Sequence, residues 1–438
     1  MAQRTAKWWR FWKNREDGSM TVYGIYLFML VLLAGGVAID VSSVNLAKRK
    51  LQVTADAVAH AALYNREKNS SEYAIAQALE IAEAWMPFSK YGSVVTAEDI
   101  EFGSWDHDTA TFTVNASSKS AVRVLAHLDR DHGNALPAIL LRLTDSDNLF
   151  DVRAGAIFTT FIPNCLREGF VAEGIVDMQS NNGFSAGFCV HSNSHVALNN
   201  NNTFEPGTVV SMPNLEDIEL DRNGYEKNEG LEAALREGAY RMRTLNNTDT
   251  IIAGLLAADP EYTPDYISGT AVITLVNRNL TEADFVPGRI HYVSCRGGGS
   301  VTITTTLPLQ DVVLVTDCKV KFSQGATVEN SIIATTSTDS RSITGPSGVN
   351  IGKDDGCADG GGTSLISKGG MSFAADLALY GGRIVSEGDI SFAAKADGIQ
   401  GASIIAGGQV DGTSNSNMGF CGQGMEASYE AEYFRLAL

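Results

Sequence analysis

The stretch "SLISKGGMSFAADLALYGG", residues 364–382, is followed at once by a second copy of its own pattern, "RIVSEGDISFAAKADGIQG" at 383–401. The two copies align without a gap, so that Phe373 matches Phe392, and "SIIAGGQV" at 403–410 continues the series. A period of about 19–20 residues, with short apolar pairs and glycine at the corners, is typical of the coils of a parallel β-helix. Stacked coils would bury these apolar side chains in continuous rows.

The same pattern occurs earlier in the chain. "VDMQSNNGF" at 176–184 matches "VALNNNNTF" at 196–204, and the segment that starts at Cys318 resembles the later copies. We therefore predict an all-β parallel β-helix, or solenoid, over residues 163–425, with Asn199–Asn202 as part of an asparagine ladder at a turn. The alternative is a glycine-rich β-sandwich in which the repeats are accidental.

Two segments within or after the repeats have a helical pattern. Residues 230–259 predict one or two helices, which form a helical insertion near 229–260. One side of this insertion would be apolar, formed by Leu231, Ala234, Leu235, Ala239 and Met242. The tail at 426–438 predicts a C-terminal capping helix, because the open end of a solenoid needs a cover.

The N-terminal region contains a candidate membrane span. "YGIYLFMLVLLAGGVAID" at 23–40 carries no charge before its last residue, and a span of residues 20–40 is long enough to cross a bilayer. The leader at 1–19 is rich in cations and tryptophan, which favours a cytoplasmic N-terminus. We expect a single-pass inner-membrane protein whose C-terminal part is periplasmic or surface-exposed. A cleaved signal peptide, cut near 36–38, is the alternative.

Beyond the span, the helical pattern continues without a break. Apolar residues recur at spacings of three and four, namely Val44, Ala47, Leu51, Ala55, Val58 and Ala62. A second helix and short alternating strands follow, among them "TFTV" and "VRVLAHL". Residues 41–162 are thus predicted to form an α+β module in which the long helix lies beside a small antiparallel sheet. Cleavage of a signal peptide near 36–38 would discard half of one continuous helix, which favours a retained span.

The segment from Asp17 to Leu63 resembles the N-terminal part of the TadE/TadG-like proteins of the tight-adherence (Flp-type) pilus. The residues that carry the resemblance are Gly18, Asp40, Arg49, Leu51, Gln52, Ala55, Asp56 and Ala57. It implies a pilin-like module at 41–162 and a membrane and assembly helix marked by Gly18, Asp40, Arg49, Leu51 and Asp56. It also implies other Tad-system or pilin-like proteins as partners. Pilin processing motifs place Glu five residues after the cleavage Gly, where this chain has Tyr23, which favours a retained anchor.

Asp40 is the most unusual of these residues. A carboxylate at the outer end of a span is costly inside lipid. Asp40 either marks the interface, where water would hydrate it, or pairs with a cation such as Lys48 or Arg49 of a neighbouring chain.

Charge and cysteine content indicate an exported protein. The net charge is −18, and because residues 1–50 contain eight Lys and Arg against three Asp and Glu, the rest carries −23. An acidic exterior argues against nucleic acid as a partner. All six cysteines lie between Cys165 and Cys421, an even number typical of disulfides in an oxidising compartment.

Six cysteines permit 15 pairings. Proximity in the sequence favours Cys165–Cys189, Cys295–Cys318 and Cys357–Cys421. A zinc site is the competing interpretation at one place only, where His191 and His195 follow Cys189 in "CVHSNSH".

Parallel β-helices also include polysaccharide-active enzymes, which need convergent carboxylates. "GKDDGCADGGG" supplies Asp354, Asp355 and Asp359, while 144–148 and 411–416 only partly match a metal-dependent adhesion site. We find no nucleophile elbow, phosphate loop or zinc-protease helix. The sequence thus predicts no catalytic residues, no cofactor and no metal. It favours a structural protein in assembly of, or adhesion by, a pilus; a surface adhesin that binds glycans along the β-helix, or less readily an enzyme, is the alternative.

Overall fold

The computed structural model describes residues 17–141, 149–161, 163–296, 298–358, 360–412, 414–422 and 433–437. The chain divides into two compact units. The N-terminal unit comprises Met1–Phe161 and Glu432–Leu438, and the second unit comprises Ile162–Ala431.

The N-terminal unit is built on one long helix, α1 (Asp17–Arg66), followed by α2 (Ser71–Trp85) and α3 (Phe88–Tyr91). The C-terminal half of α1 packs through the predicted apolar side, in which four residues are fully buried: Leu51, Ala55, Val58 and Ala62. Three buried alanines of α2 face the C-terminal half of α1: Ala74, Ala78 and Ala82. Small side chains allow the two helices to approach closely.

A small antiparallel sheet completes this unit, as predicted. In the order of the chain, its strands are β1 (Ile100–Asp106), β2 (Thr111–Val114), β3 (Ala121–Leu128) and β6 (Val152–Phe161). Two further strands, β4 (Leu136–Pro137) and β5 (Leu149–Phe150), pair with each other outside this sheet. The sheet order is β2-β1-β3-β6, and a fifth strand from the C-terminal tail, described below, follows β6. Buried and exposed residues alternate along much of β6, so one face of the sheet packs against α1.

The second unit is a parallel β-solenoid made of short strands. Its first block contains β7 (Gly169–Ala172), β8 (Val176–Met178), β9 (Gly183–Phe184), β10 (Cys189–Ser192), β11 (Val196–Leu198), β12 (Thr203–Phe204), β13 (Val209–Met212), β14 (Glu219–Leu220) and β15 (Leu235–Glu237). Its second block begins with β16 (Gly269–Thr274), β17 (Asn279–Thr281), β18 (Arg289–Val293), β19 (Ser300–Thr304), β20 (Leu309–Gln310), β21 (Val312–Thr316), β22 (Lys319–Phe322), β23 (Thr327–Glu329) and β24 (Ile332–Thr335). It ends with β25 (Ile343–Gly345), β26 (Asn350–Ile351), β27 (Ser364–Ser367), β28 (Met371–Tyr380), β29 (Arg383–Ser386), β30 (Ile390–Gln400), β31 (Ser403–Ala406), β32 (Val410–Asp411) and β33 (Asn417–Gly419).

The repeats of the sequence are neighbouring rungs of this solenoid. Phe373 pairs with Phe392 in the ladder between β28 and β30, and Phe184 pairs with Phe204 between β9 and β12. The rings of Phe184 and Phe204 stack, with centroids 4.8 Å apart. The gapless alignment therefore predicted the register as far as Phe373. Beyond it the register shifts, since Leu377 pairs with Ala394 and Leu379 pairs with Ile399.

The two blocks of coils are stacked in an order that differs from their order in the sequence. The 11-stranded sheet runs β15-β13-β10-β7-β31-β29-β27-β24-β21-β18-β16. The last coil of the chain thus pairs with the first, as Ile404 lies beside Phe170 and Val410 beside Val176. Along the solenoid, the strands of this sheet therefore run from β16 to β31, and the stack then continues with β7 and ends at β15.

The described residues of the second unit include five short helices: α4 (Asn164–Arg167), α5 (Gly224–Lys227), α6 (Leu231–Ala234), α7 (Arg243–Asn246) and α8 (Thr248–Ala257). The prediction of one apolar helix side from Leu231 to Met242 is wrong, because α6 ends at Ala234. Leu235–Glu237 instead pairs with β13, whose open edge offers main-chain hydrogen bonds. α8 does form, and it buries Ile251, Ile252 and Leu255 against the outer face of the 11-stranded sheet.

Asparagines shape one corner of the solenoid. Asn181, Asn201 and Asn415 adopt left-handed backbone conformations, with φ of 63°, 64° and 58°, a conformation that asparagine tolerates well. The residues that follow Asn181 and Asn201 form the predicted ladder. The main-chain N–H of Asn182 donates to Asn202 Oδ1, and the main-chain N–H of Asn202 donates to Asn228 Oδ1, each at 2.9 Å.

The C-terminal tail differs from the prediction. Tyr433–Leu436 forms a strand, β34, and not the capping helix predicted at 426–438. β34 pairs antiparallel with β6, where Phe434 lies opposite Thr160. The edge of β6 supplies unpaired main-chain groups, which a strand satisfies and a helix does not. Residues 426–432 lie outside the described residues.

Candidate functional site

The N-terminal half of α1 is the part of the chain best suited to a membrane. Among the described residues it is the one helix that is long and apolar enough to cross a bilayer, and almost none of its apolar stretch is buried. Gly18 lies in the first turn of α1. Together with the disulfides of the second unit, this helix indicates a membrane-anchored extracytoplasmic protein.

Asp40 fixes the end of this stretch to the rest of the N-terminal unit. Its carboxylate is 1% exposed and accepts backbone N–H groups of Ile139 at 2.6 Å, Leu140 at 3.1 Å and Leu141 at 2.8 Å. Gly36, one turn earlier, leaves room for Leu140, whose Cβ would lie 3.3 Å from a Cβ at that position. Backbone N–H groups thus stabilise the Asp40 carboxylate, a role that the sequence analysis assigned to water or to a cation.

Three further residues marked by the sequence lie beyond Asp40 and have different surroundings. Leu51 is fully buried in the core, whereas Arg49 is exposed. Asp56 accepts a hydrogen bond at 2.8 Å from Gln52, whose amide also donates to Gly155 O on β6. Leu51 and Asp56 therefore hold the helix on its sheet, and the side chain of Arg49 is exposed.

An apolar stripe on α1 was missed by the sequence analysis. Ile39, Leu46 and Val53 are 48%, 70% and 46% exposed and recur every seven residues, which places them on one side of the helix. This side is opposite the buried one, and it extends the apolar surface of the span past Asp40. The seven-residue spacing was the signal that could have revealed it.

The three disulfides of the second unit are the pairs favoured by the sequence: Cys165–Cys189, Cys295–Cys318 and Cys357–Cys421. The zinc alternative in "CVHSNSH" is wrong, because Cys189 is bonded to Cys165. His191 is fully buried and contacts Ser211 Oγ at 2.7 Å and Asn193 Oδ1 at 3.0 Å. Burial lowers the pKa of His191.

The carboxylates considered for catalysis that the structure describes lie in separate local surroundings. Asp355 accepts the Ala358 amide in a local turn, while Asp359 and residues 144–148 lie outside the described residues. Asp411 pairs in register with Asp177 on the adjacent rung. Burial raises the pKa of Asp177, and the carboxylates of Asp411 and Glu219 raise it further.

An open groove follows the asparagine corner of the solenoid. Its lining includes Asn181, Asn201, Thr203, Glu205 and Asn417. Amide, hydroxyl and carboxylate groups of this kind can bind the hydroxyl groups of a sugar.

Comparisons with known proteins divide the chain in the same way. Residues 169–422, more than half of the chain, match a family model described as Domain of unknown function (DUF7867). Residues 18–78 match a model described as Flp pilus-assembly TadE/G-like, which agrees with the resemblance carried by Gly18, Asp40 and Asp56. No curated protein and no solved structure matches the chain.

Proposed function

Since the chain belongs to the family described as Domain of unknown function (DUF7867) and its N-terminal segment is TadE/G-like, we propose that it is a structural protein in assembly of, or adhesion by, a tight-adherence pilus. The leader would lie in the cytoplasm, α1 would cross the inner membrane, and the solenoid would face the periplasm or the cell surface. The cationic leader and the three disulfides support this orientation.

The exposed stripe of Ile39, Leu46 and Val53 carries the proposal. An apolar side chain such as Leu46, 70% exposed, gains free energy when a second helix covers it. Because the stripe continues the surface of the span, a pilin-like helix in the same membrane could cover both at once. Arg49 would lie at the edge of that contact and could pair with a carboxylate of the partner.

Substitution of Leu46 by serine tests this contact. We expect Leu46→Ser to abolish co-isolation with Tad-system proteins from membranes and to reduce pilus number, with no change in thermal stability. Leu307→Ser is the matched control, since Leu307 is 67% exposed on the solenoid. If both variants assemble pili equally well, α1 does not act through this stripe.

The anchored state has its own test. Mass spectrometry of the intact, non-reduced protein reports the mature N-terminus and the state of the cysteines together. We expect an uncleaved leader and six oxidised cysteines in the inner-membrane fraction. A soluble mature chain that begins near Ile39 would contradict the proposal.

Binding of glycans by the solenoid is the second candidate function, favoured by the groove at the asparagine corner. Glycan-array binding that is lost in Asn417→Ala, while pilus assembly is unchanged, would support it. Asn417 donates to Asp397 at 2.7 Å near the groove, and its side chain is exposed.

We also propose that the protein is not an enzyme. Ser211 Oγ and His191 Nδ1 have the spacing of a nucleophile and its base, but the two residues are 2% and 0% exposed, so a polysaccharide could not reach them. Release of reducing ends from any polysaccharide by the purified protein would contradict this proposal.

A further inference from the structure

Three polar side chains from separate segments meet at one end of the N-terminal sheet. Asp99 closes the 3₁₀ turn Ala97–Asp99 before β1, His127 lies on β3, and His132 lies in the turn after it. One donor atom of each lies within 4.8 Å of the other two, and His127 Nε2 is 3.0 Å from Asp99 Oδ1. We propose that Asp99, His127 and His132 bind a divalent transition-metal ion, with zinc as the best fit.

The three ligands are held in place by neighbouring groups. Asp99 Oδ2 accepts hydrogen bonds from the amide and the hydroxyl of Thr96, at 2.8 and 2.7 Å, so Oδ1 faces the imidazole of His127. The carboxylate of Asp129, 0% exposed, lies behind both rings. Its two oxygens are 2.7 Å from His132 Nδ1 and 3.4 Å from His127 Nδ1. A carboxylate on the far nitrogen is the usual way in which proteins orient a metal-binding histidine.

His127 lies between two carboxylates, with Nε2 3.0 Å from Asp99 Oδ1 and Nδ1 3.4 Å from Asp129 Oδ2, an oxygen that also accepts a hydrogen bond from Arg153 Nε at 2.5 Å. A neutral imidazole has one N–H and one lone pair, so an N–H at Nδ1 leaves the lone pair of Nε2 for a metal. An ion bound to Nε2 would then be shared with Asp99 Oδ1. His132 stacks on His127 with ring centroids 4.3 Å apart and 16° between the ring planes, and its Nδ1 faces Asp129. Nε2 would therefore be its ligand atom, and the exposed ring of His132 would have to tilt for this lone pair to meet that of His127.

The donor set selects the class of metal. Two imidazole nitrogens and one carboxylate oxygen suit zinc and related ions better than magnesium or calcium. Zinc–ligand distances of about 2.0–2.2 Å in a tetrahedron give ligand–ligand distances of roughly 3.3 Å, close to the 3.0 Å between His127 and Asp99. The side chain of His132 is 30% exposed, which gives the ion a route from solvent and leaves the fourth position to water.

Such an ion would brace a segment that matters for the membrane helix. The turn that contains His132 continues into Ile139–Leu141, whose amides hold Asp40. Zinc would therefore connect the start of β1, the end of β3 and the loop that fixes α1.

Metal analysis of the full-length protein in detergent, purified without chelator, tests the proposal. We expect about one zinc ion per chain, a higher melting temperature with added zinc, and loss of both effects in His132→Ala. His107→Ala is the control, because His107 is an exposed histidine outside the cluster. His132 is itself largely at the surface, so its loss should leave the fold intact, which circular dichroism would verify.

Three results would overturn the proposal. They are a wild-type protein that binds no zinc, equal zinc binding in His132→Ala and wild type, and equal loss of zinc in the His107→Ala control. None of these results depends on pilus assembly, so failure of the metal site would leave the proposed function untouched.

Discussion

Replacement of Ile404 by alanine tests how the two blocks of coils join. Ile404 is 0% exposed, and it lies between Ile384 of the preceding coil and Phe170 of the coil that comes first in the sequence. The substitution removes three carbon atoms, each worth about 0.8 kcal/mol of transfer free energy. With the cavity that remains, we expect a loss of about 3 kcal/mol in the free energy of unfolding.

A matched variant separates the junction from the rest of the row. Ile333 is equally buried, and it lies between Leu314 and Leu365 inside the second block. Ile333→Ala should cost a similar free energy in denaturant titrations of the full-length protein, since the chemistry and burial are the same. The two variants should differ in which main-chain hydrogen bonds open more often.

Hydrogen exchange reports that difference. At the junction, the amides of Gly169 and Glu173 donate to Ala402 O and Ala406 O at 2.8 and 3.0 Å. Both amides should exchange faster in Ile404→Ala than in Ile333→Ala. A loss below about 1 kcal/mol in Ile404→Ala, or equal exchange of these amides in the two variants, would refute the stacking order.

Three further outcomes are expected. Asp40→Ala leaves the amides that Asp40 binds without an acceptor, so they should exchange at least roughly tenfold faster; unchanged exchange would show that the contact is dispensable. Burial lowers the pKa of His191 and of His291, so the unfolded chain binds more protons below pH ~6.5 and stability should fall as the pH drops through that value, by at most ~1.4 kcal/mol per pH unit for each histidine. His191→Gln should reduce this slope in melts at pH 5 to 7, and an identical slope would contradict the assignment. Loss of the Cys357–Cys421 bond, which spans 64 residues, should cost up to roughly 4 kcal/mol in denaturant titrations of the double serine variant, and no shift would exclude a stabilising role.

Local features of the fold could be predicted because they depend on residues close in the sequence. The period of 19–20 residues placed Phe373 beside Phe392, since adjacent coils repeat the same pattern of apolar residues. The side of α1 that carries Leu51 and Val58 followed from helical spacing alone. Two of the disulfides, Cys165–Cys189 and Cys295–Cys318, were local in the same sense, since they close 24 and 23 residues, whereas Cys357–Cys421 spans 64.

The candidate site was less accessible to sequence reasoning. Asp40 was recognised as unusual, but its partners, Ile139 to Leu141, lie about 100 residues away, and a backbone amide has no signature in a sequence. The cluster of Asp99, His127 and His132 was missed for the same reason, since its residues have no metal-binding spacing and meet only when β1 and β3 pair.

The sequence by itself determined the membrane-capable helix, the coil period and the interior rows, because each of these is a repetition that local geometry imposes. Only the tertiary structure decided the order of the coils and the place of the tail. The open edges of parallel coils present the same main-chain donors and acceptors, so the period of the sequence leaves the order of the blocks undetermined. Long-range packing settles it, as Ile404 meets Phe170 and Phe434 meets Thr160.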